Sequence, residues 1–153
     1  MAVAKGTKMM DESNTESMGV LVSMIHRLGS VFLNDALAGW NVGAGQHAFL
    51  LALADNEGIT QDGLAKIFRV DKATVARGLS KLESQGYVVR VPDPRDRRSY
   101  LIEVTQKGKE LCPEIRSILD TWENHLTCGL SGTEKEQFRK LLFRVARNAG
   151  ERV

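Results

Sequence analysis

The chain has 153 residues, enough for one domain or for one module with an accessory element. Its net charge of +2 conceals an uneven distribution, because residues 66–109 hold eleven cationic and five acidic residues, whereas residues 1–65 hold three and seven. No apolar run approaches the roughly 18 residues of a membrane span, and the N-terminus has no hydrophobic core of a secretory signal. Two cysteines do not make a disulfide framework. We therefore expect a reduced cytoplasmic protein that binds a polyanion through its middle third.

The N-terminal third predicts a lead followed by two helices. Residues 1–16 are expected to be disordered. A helix is predicted from Ser17 to near Gly39 because its apolar residues follow helical spacing. These residues are Leu21, Met24, Ile25, Leu28, Val31 and Phe32. Residues 42–54 are apolar over a wide arc and predict a buried helix, which residues 55–58 end in a turn.

The next segment predicts two short helices joined by three residues. Thr60 is a favourable N-cap for the first helix, and Asp71 is one for the second. Residues 68–70 form the turn between them, and Gly86 stands where a helix C-terminus favours positive φ. This spacing is typical of a helix-turn-helix.

The second of these helices has an apolar and a polar face. Val75, Leu79 and Leu82 are spaced four and three apart and are expected to point inward. The other face is small, polar and cationic, and it comprises Lys72, Ala73, Thr74, Arg77, Ser80, Lys81 and Ser84. In a major groove, small side chains near the helix N-terminus can pack on a thymine methyl, an arginine can reach guanine or phosphate, and lysines can contact phosphates. A merely solvated face is the alternative for this helix alone.

A basic β-hairpin follows this helix. Residues 87–91 and 99–104 are rich in β-branched and aromatic side chains and predict its two strands. The loop between them offers four expected contacts with DNA: Arg95, Asp96, Arg97 and Arg98. An aspartate here can hold a neighbouring arginine extended, which suits the negative potential of a narrow minor groove. An ion pair that only stabilises the loop is the alternative. A helix with an adjacent basic hairpin predicts a protein that grips a duplex in two grooves.

The C-terminal third predicts two more helices. The first starts at Thr105, and Pro113 is expected to bend it or to move its start later. Residues 131–134 form a capping box that opens the last helix. Cys112 and Cys128 lie near opposite ends of the longer helix, about 24 Å apart at 1.5 Å per residue, so they cannot bridge within one chain.

Several of these motifs together resemble the winged helix-turn-helix of the multiple-antibiotic-resistance regulator (MarR) family. The specific part is the loop Asp93-Pro94-Arg95-Asp96-Arg97-Arg98, followed by a strand and Thr105-Gln106-Lys107-Gly108. Residues 64–65, 70–77 and 82–88 also match, and residues 46–51 resemble the second helix of the family. The resemblance implies a mainly α fold with a small β-hairpin wing, a winged helix-turn-helix plus a helical dimerisation region.

The resemblance also implies a function. It implies a homodimer that binds palindromic double-stranded DNA operators, usually as a repressor relieved by small phenolic or anionic ligands. It places Arg97 and Arg98 in the minor groove, steadied by Asp96. The expected division is a dimerisation helix at 17–40, a DNA-binding lobe at 41–104 and dimerisation helices at 105–150.

A ligand site is expected between the DNA-binding lobe and the dimerisation helices. Its candidate residues are Met24, Arg27, Trp40, His47 and Arg90. Arg27 can pair with an anionic ligand. The alternative is that Arg27 pairs with an acid and that Trp40 fills the core.

Other classes of function have weaker support. His125 and Cys128 lie three apart, but two ligands are too few for a metal site, so no metal or cofactor is expected. Peroxide sensors of the family use a cysteine in the first helix, and this chain has none there. No glycine-rich phosphate loop or G-x-S-x-G motif is present, so an enzyme is not expected. A redox- or metal-responsive regulator and an architectural DNA-binding protein without sequence preference remain as alternatives.

Overall fold

Six helices and a small sheet make up the part of the chain that the computed structural model describes, which is residues 17–43, 45–56 and 58–150. In chain order the elements are α1 (Met18–Ala36), a 3-10 turn (Ala38–Trp40), α2 (Gln46–Asp55), β1 (Ile59–Thr60), α3 (Gln61–Phe68), α4 (Lys72–Ser84), β2 (Val88–Asp93), β3 (Asp96–Val104), α5 (Gln106–Leu126) and α6 (Gly132–Gly150). The predicted lead at 1–16 lies outside the described residues.

The helix-turn-helix is α3 and α4, and its predicted caps are confirmed. The side chain of Thr60 accepts from the amide of Gly63, and that of Asp71 accepts from the amide of Thr74. Arg69 ends α3 in the left-handed region at φ 53°, which turns the chain in three residues. The inner face of α4 packs against α2 and the sheet, and its apolar members Val75, Leu79 and Leu82 are fully buried, as predicted.

The sheet has three antiparallel strands in the order β1-β3-β2. The predicted hairpin is confirmed, but its return strand begins at Asp96 rather than at residue 99. The third strand, β1, was not predicted, and it pairs Ile59 with Ile102 and Thr60 with Leu101. Two residues are too few for an alternating pattern, so the sequence carries little signal for this strand.

Helices α1 and α5 pack on each other around aromatic rings. Trp122 stacks on Phe32 with ring centroids 5.3 Å apart, and Gly29 faces the same indole. Nearer the start of α5, Arg116 donates to Asp55 at 2.6 Å and ties α5 to the end of α2. By contrast, none of the residues of α6, all of which are described, is buried within the chain.

Two predicted helix boundaries were wrong. Helix α1 ends at Ala36, because the next residues tighten into the 3-10 turn. Helix α2 starts at Gln46 rather than at residue 42. Just before this start, the Gln46 side chain accepts from the amide of Gly43. The predicted start of α5 at Thr105 is confirmed, because the Thr105 side chain accepts from the amide of Gly108 at 3.1 Å, so Pro113 does not delay the helix.

Candidate nucleic-acid interface

The outward face of α4 is the centre of the candidate interface. Arg77, Ser80 and Lys81 are exposed, as are Lys72 and Ala73 in the first turn, while Thr74 is half-buried. This face lies opposite the buried apolar residues of the same helix, as the periodicity predicted. The small side chains therefore stand at the N-terminal end of α4, and the cations stand along its length.

The first turn of α4 holds a chain of hydrogen bonds between three side chains. Asp71 Oδ1 accepts from the backbone N–H of Thr74 at 2.8 Å, and Asp71 Oδ2 accepts from Thr74 Oγ1 at 2.6 Å. Arg77 Nη2 donates to the same hydroxyl at 3.0 Å. The Thr74 hydroxyl and amide, with the nearby Arg77 charge, hold the pKa of the Asp71 carboxyl below its ordinary value. Asp71 therefore stays ionised on a surface that would meet phosphates.

Lys72 is not fully available on the surface of α4. Its ammonium donates to Asp62 Oδ2 on α3 at 2.7 Å, and both side chains are largely exposed. Exposed pairs of this kind contribute little to stability. A phosphate would compete with Asp62 for the same ammonium.

The C-terminal end of α4 is fixed to β2. Glu83 in the last turn of α4 forms an ion pair with Arg90 of β2, and both side chains are partly buried. This contact joins the helix directly to the base of the hairpin. The relative placement of α4 and the hairpin is thus set by a charged contact as well as by the core.

The start of α5 is fixed to the turn after α4. The Thr105 hydroxyl donates to Gly86 O at 2.7 Å, and the Thr105 amide donates to Tyr87 O at 3.0 Å. Lys107 donates to Gln85 O at 2.7 Å and lies 4.7 Å from the centre of the Tyr87 ring. Gly86 has φ 75°, as its predicted position required. The long helix α5 and the outward-facing helix α4 therefore meet at one hydrogen-bonded junction.

The tip of the hairpin is built around Asp93. Its carboxylate accepts from the amide of Arg95 at 2.8 Å, which closes the turn and leaves the Arg95 side chain exposed. The carbonyl of Asp96 accepts from Ser99 Oγ at 3.1 Å. The side chains of Arg97 and Arg98 lie outside the described part of the structure, so their pairing with Asp96 stays a prediction.

The five predicted ligand residues lie on four different elements. Met24 and Arg27 are on α1, Trp40 is in the 3-10 turn, and His47 is in the first turn of α2. Arg27 and Trp40 are exposed, so Trp40 does not fill the core, and its carbonyl accepts from a tyrosine hydroxyl. Arg90 lines an open cavity of about 300 Å³ between the start of α3 and β3, and its charge is paired with a glutamate of α4.

The two cysteines differ in environment. Cys112 is buried in α5 and Cys128 is exposed after it, and neither forms a disulfide. Burial raises the pKa of the Cys112 thiol, which disfavours the reactive thiolate. Across residues 17–43, 45–56 and 58–150, no group of three metal-ligating side chains is assembled, and no helix there is apolar over a length that could cross a membrane.

Sequence reasoning missed the partners of several side chains in this region. It identified Asp71 as a cap but not as an acceptor for the Thr74 hydroxyl, and it did not identify the pairing of Lys72. The threonine three residues after the capping aspartate was a usable local signal. The contacts of Lys72 and Arg90 depend on how separate elements pack against each other, which cannot be read from the local sequence.

Comparisons with known proteins agree on one family. Residues 40–99 match the model of the MarR family. YybA of Bacillus subtilis, an uncharacterised HTH-type transcriptional regulator, is 32% identical over 127 residues, which span 83% of this chain and 85% of YybA. A solved structure of a MarR protein superposes with a TM-score of 0.82 at 38% identity, covering 92% of this chain and 94% of that one.

A second solved structure contains nucleic acid. It is a cysteine-to-serine mutant of MarR from Escherichia coli complexed with operator DNA, with a TM-score of 0.76, 29% identity and coverage of 84% of this chain and 92% of that one. The superpositions confirm the predicted mainly α fold with a small β wing. The match to a family of transcriptional regulators confirms the prediction that the chain is not an enzyme.

Proposed function

Because the chain belongs to the MarR family of DNA-binding transcriptional regulators, we propose that it is a homodimeric repressor that binds a palindromic operator and is released by a small anionic or phenolic ligand. The observation that carries this proposal is the exposed polar face of α4 beside the cationic hairpin. A helix that fits the major groove and a hairpin that reaches an adjacent minor groove suit duplex DNA.

The proposed contacts divide between bases and phosphates. Ala73, Thr74 and Arg77 stand near the N-terminus of α4, the end that meets base edges. The remaining contacts would fix the register of the protein on the backbone or read the shape of the minor groove. They are Lys72, Ser80, Lys81, Arg95, Asp96, Arg97 and Arg98.

The proposed dimer rests on apolar surface that the single chain leaves open. Helices α1 and α6 both carry large apolar side chains that are at least one third exposed. On α1 they are Met18, Val20, Val22, Ile25, Leu28 and Val31, and on α6 they are Phe138, Leu141, Leu142, Phe143 and Val145. Large exposed apolar surfaces on soluble proteins mark interaction sites. Most of these side chains are already about half buried, so burying the rest of each contributes roughly 1 kcal/mol, and a second copy is the occupant we propose.

Each part of the chain has a place in this proposal. Residues 17–40 and 105–150 form the dimerisation region, and residues 41–104 form the DNA-binding lobe, in a cytoplasmic protein. An effector would bind where these regions meet, near Met24, Arg27, Trp40, His47 or Arg90. Whether the protein represses, and which ligand releases it, is to be tested with a reporter gene under its operator and a panel of small phenols and benzoate-type anions.

The decisive experiment is the selection of bound sites from random duplexes by the full chain. A palindrome whose half-sites are about one helical turn apart supports the proposal, and the absence of any enriched sequence refutes it in favour of an architectural protein. Arg77→Ala should weaken binding to the selected site by about 1–3 kcal/mol and relax its specificity. Arg139→Ala, which removes the same charge from α6, is the control and should leave the selected sequence unaltered.

Sedimentation at micromolar concentration should give a dimer, and a monomer there would refute the homodimer.

A further inference from the structure

The hydroxyl of Thr74 is already engaged in the free protein. A threonine hydroxyl has one hydrogen to donate and two lone pairs that accept. Its hydrogen goes to Asp71 Oδ2, because an ionised carboxylate can only accept, and one lone pair takes a hydrogen from Arg77 Nη2. One lone pair and the methyl group remain for a base.

This arrangement limits what Thr74 can recognise. In the major groove, guanine presents only acceptors on its edge, so a side chain must donate to it. An A·T pair presents the thymine methyl and the adenine amino group, which match the methyl and the free lone pair of Thr74. The free lone pair can accept from adenine N6–H or from cytosine N4–H, so the thymine methyl packed on the Thr74 methyl is what favours an A·T pair. Thr74 held in this way is therefore suited to an A·T pair and cannot donate to guanine.

The same hydrogen bonds direct Arg77. A guanidinium has five N–H donors, and only one is used by Thr74. Four remain, which is more than the two that a bidentate contact with guanine O6 and N7 requires. Arg77 is thus drawn toward the N-terminal end of α4 before DNA arrives, and less rotational freedom is lost on binding.

We infer that Asp71 is a positioning residue that sets the base specificity of the neighbouring pair, so that Thr74 reads an A·T base pair next to a guanine read by Arg77. This inference rests on the proposed function, because it assigns specificity to the same DNA-binding face. Asp71 itself contacts no base in this scheme. It acts by deciding which way the Thr74 hydroxyl points.

Three substitutions separate the parts of this arrangement. Thr74→Val keeps the methyl and removes the hydroxyl, so the A·T preference should persist while the guanine preference falls about three- to tenfold as Arg77 loses its guide. Thr74→Ser keeps the hydroxyl and removes the methyl, so the guanine preference should persist while the A·T preference weakens. The two variants should therefore alter different positions of the selected sequence: Thr74→Val the guanine position, and Thr74→Ser the A·T position.

Asp71→Asn gives the sharpest change. Asparagine remains a favourable N-cap, so α4 should still start at residue 72. Its amide can accept from the Thr74 N–H and donate to Thr74 Oγ1, which frees the hydroxyl hydrogen. Thr74 can then donate to guanine, and the variant should admit G·C at the position where the wild type selects A·T. A merely structural role for Asp71 would weaken all sites equally and would not alter the selected base.

The test is the selection of sites from one random duplex library, at one salt concentration, by the wild type and the three full-length variants. Opposite effects of the two Thr74 variants and a gain of G·C with Asp71→Asn support the inference. If all three variants select the same palindrome as the wild type, or lose preference equally at every position, the inference is wrong and the proposed function still stands. No enriched sequence with the wild type overturns the proposed function and this inference with it.

Discussion

The junction between α5 and the turn after α4 should tolerate no side chain at Gly108. A methyl group built there would overlap the carbonyl oxygen of Tyr87 and would lie 2.6 Å from Cγ1 of Val104. The carbonyl belongs to the backbone and also accepts the Thr105 amide at 3.0 Å, so it cannot move without breaking that bond. Gly108→Ala should therefore destabilise the protein.

The expected size follows from three contributions. Overpacking in a close-packed region costs about 1–3 kcal/mol, and losing the Thr105–Tyr87 hydrogen bond costs about 1 kcal/mol. Replacing glycine by alanine within a helix returns about 1 kcal/mol. The net loss in the free energy of unfolding is about 1–3 kcal/mol, which corresponds to a fall of roughly 2–12 °C in Tm for a chain of this length.

Gly132→Ala is the matched control. Gly132 also lies in the first turn of a helix, α6, and an added methyl there meets nothing within 4 Å. The control gains the same helix propensity without the overlap, so the two variants should differ by about 2–4 kcal/mol in urea-induced unfolding at a fixed protein concentration. If Gly108→Ala is as stable as Gly132→Ala, the backbone junction is softer than we argue and the reasoning fails.

Three further predictions concern charges at the interface. Asp62→Asn should tighten binding to operator and random DNA at fixed salt, because it releases Lys72 for a phosphate; unchanged affinity in a titration would mean that Lys72 contacts no DNA. Asp96→Ala should instead weaken binding, because an arginine that Asp96 orients must then be ordered on binding; tighter binding by this variant would rule out the preorganised hairpin. The folded-state pKa of Asp71 lies below its ordinary value of 3.8, so its stabilising effect is complete above that value and is lost as the pH falls through the folded-state pKa. The difference in unfolding free energy between the wild type and Asp71→Ala should therefore shrink between about pH 5 and pH 2, and a constant difference would show that the carboxylate is not what stabilises α4.

Local patterns in the sequence were sufficient for most of the fold. Thr60 and Asp71 were identified as N-caps from their type and position alone, because a cap is completed by an amide three residues away. The inward face of α4 followed from periodicity in the same way, since Val75 and Leu79 lie one turn apart. At these positions, contacts that close within four residues were predicted from the sequence.

Contacts between elements could not be read in this way. Asp62 and Lys72 are ten residues apart, and Asp55 and Arg116 are sixty-one apart. Many other pairs of opposite charge were equally close in sequence, and only the packing of the elements selects among them. The short strand β1 was missed for the same reason, because β3 supplies its hydrogen-bonding partners.

The two ends of α4 are held by different kinds of contact, and this separates two properties of the interface. At the C-terminal end, Glu83 pairs with Arg90 of β2, which sets the angle between the helix and the hairpin. At the N-terminal end, Asp71 and Thr74 bond within the helix itself and orient Arg77.

A change at the Glu83–Arg90 contact should alter how both grooves are reached and should affect all sequences alike. A change at the Asp71–Thr74 contact leaves the docking angle alone and should alter which bases are preferred. On the proposed function, we therefore expect affinity and specificity to vary independently, because they would depend on opposite ends of the same helix.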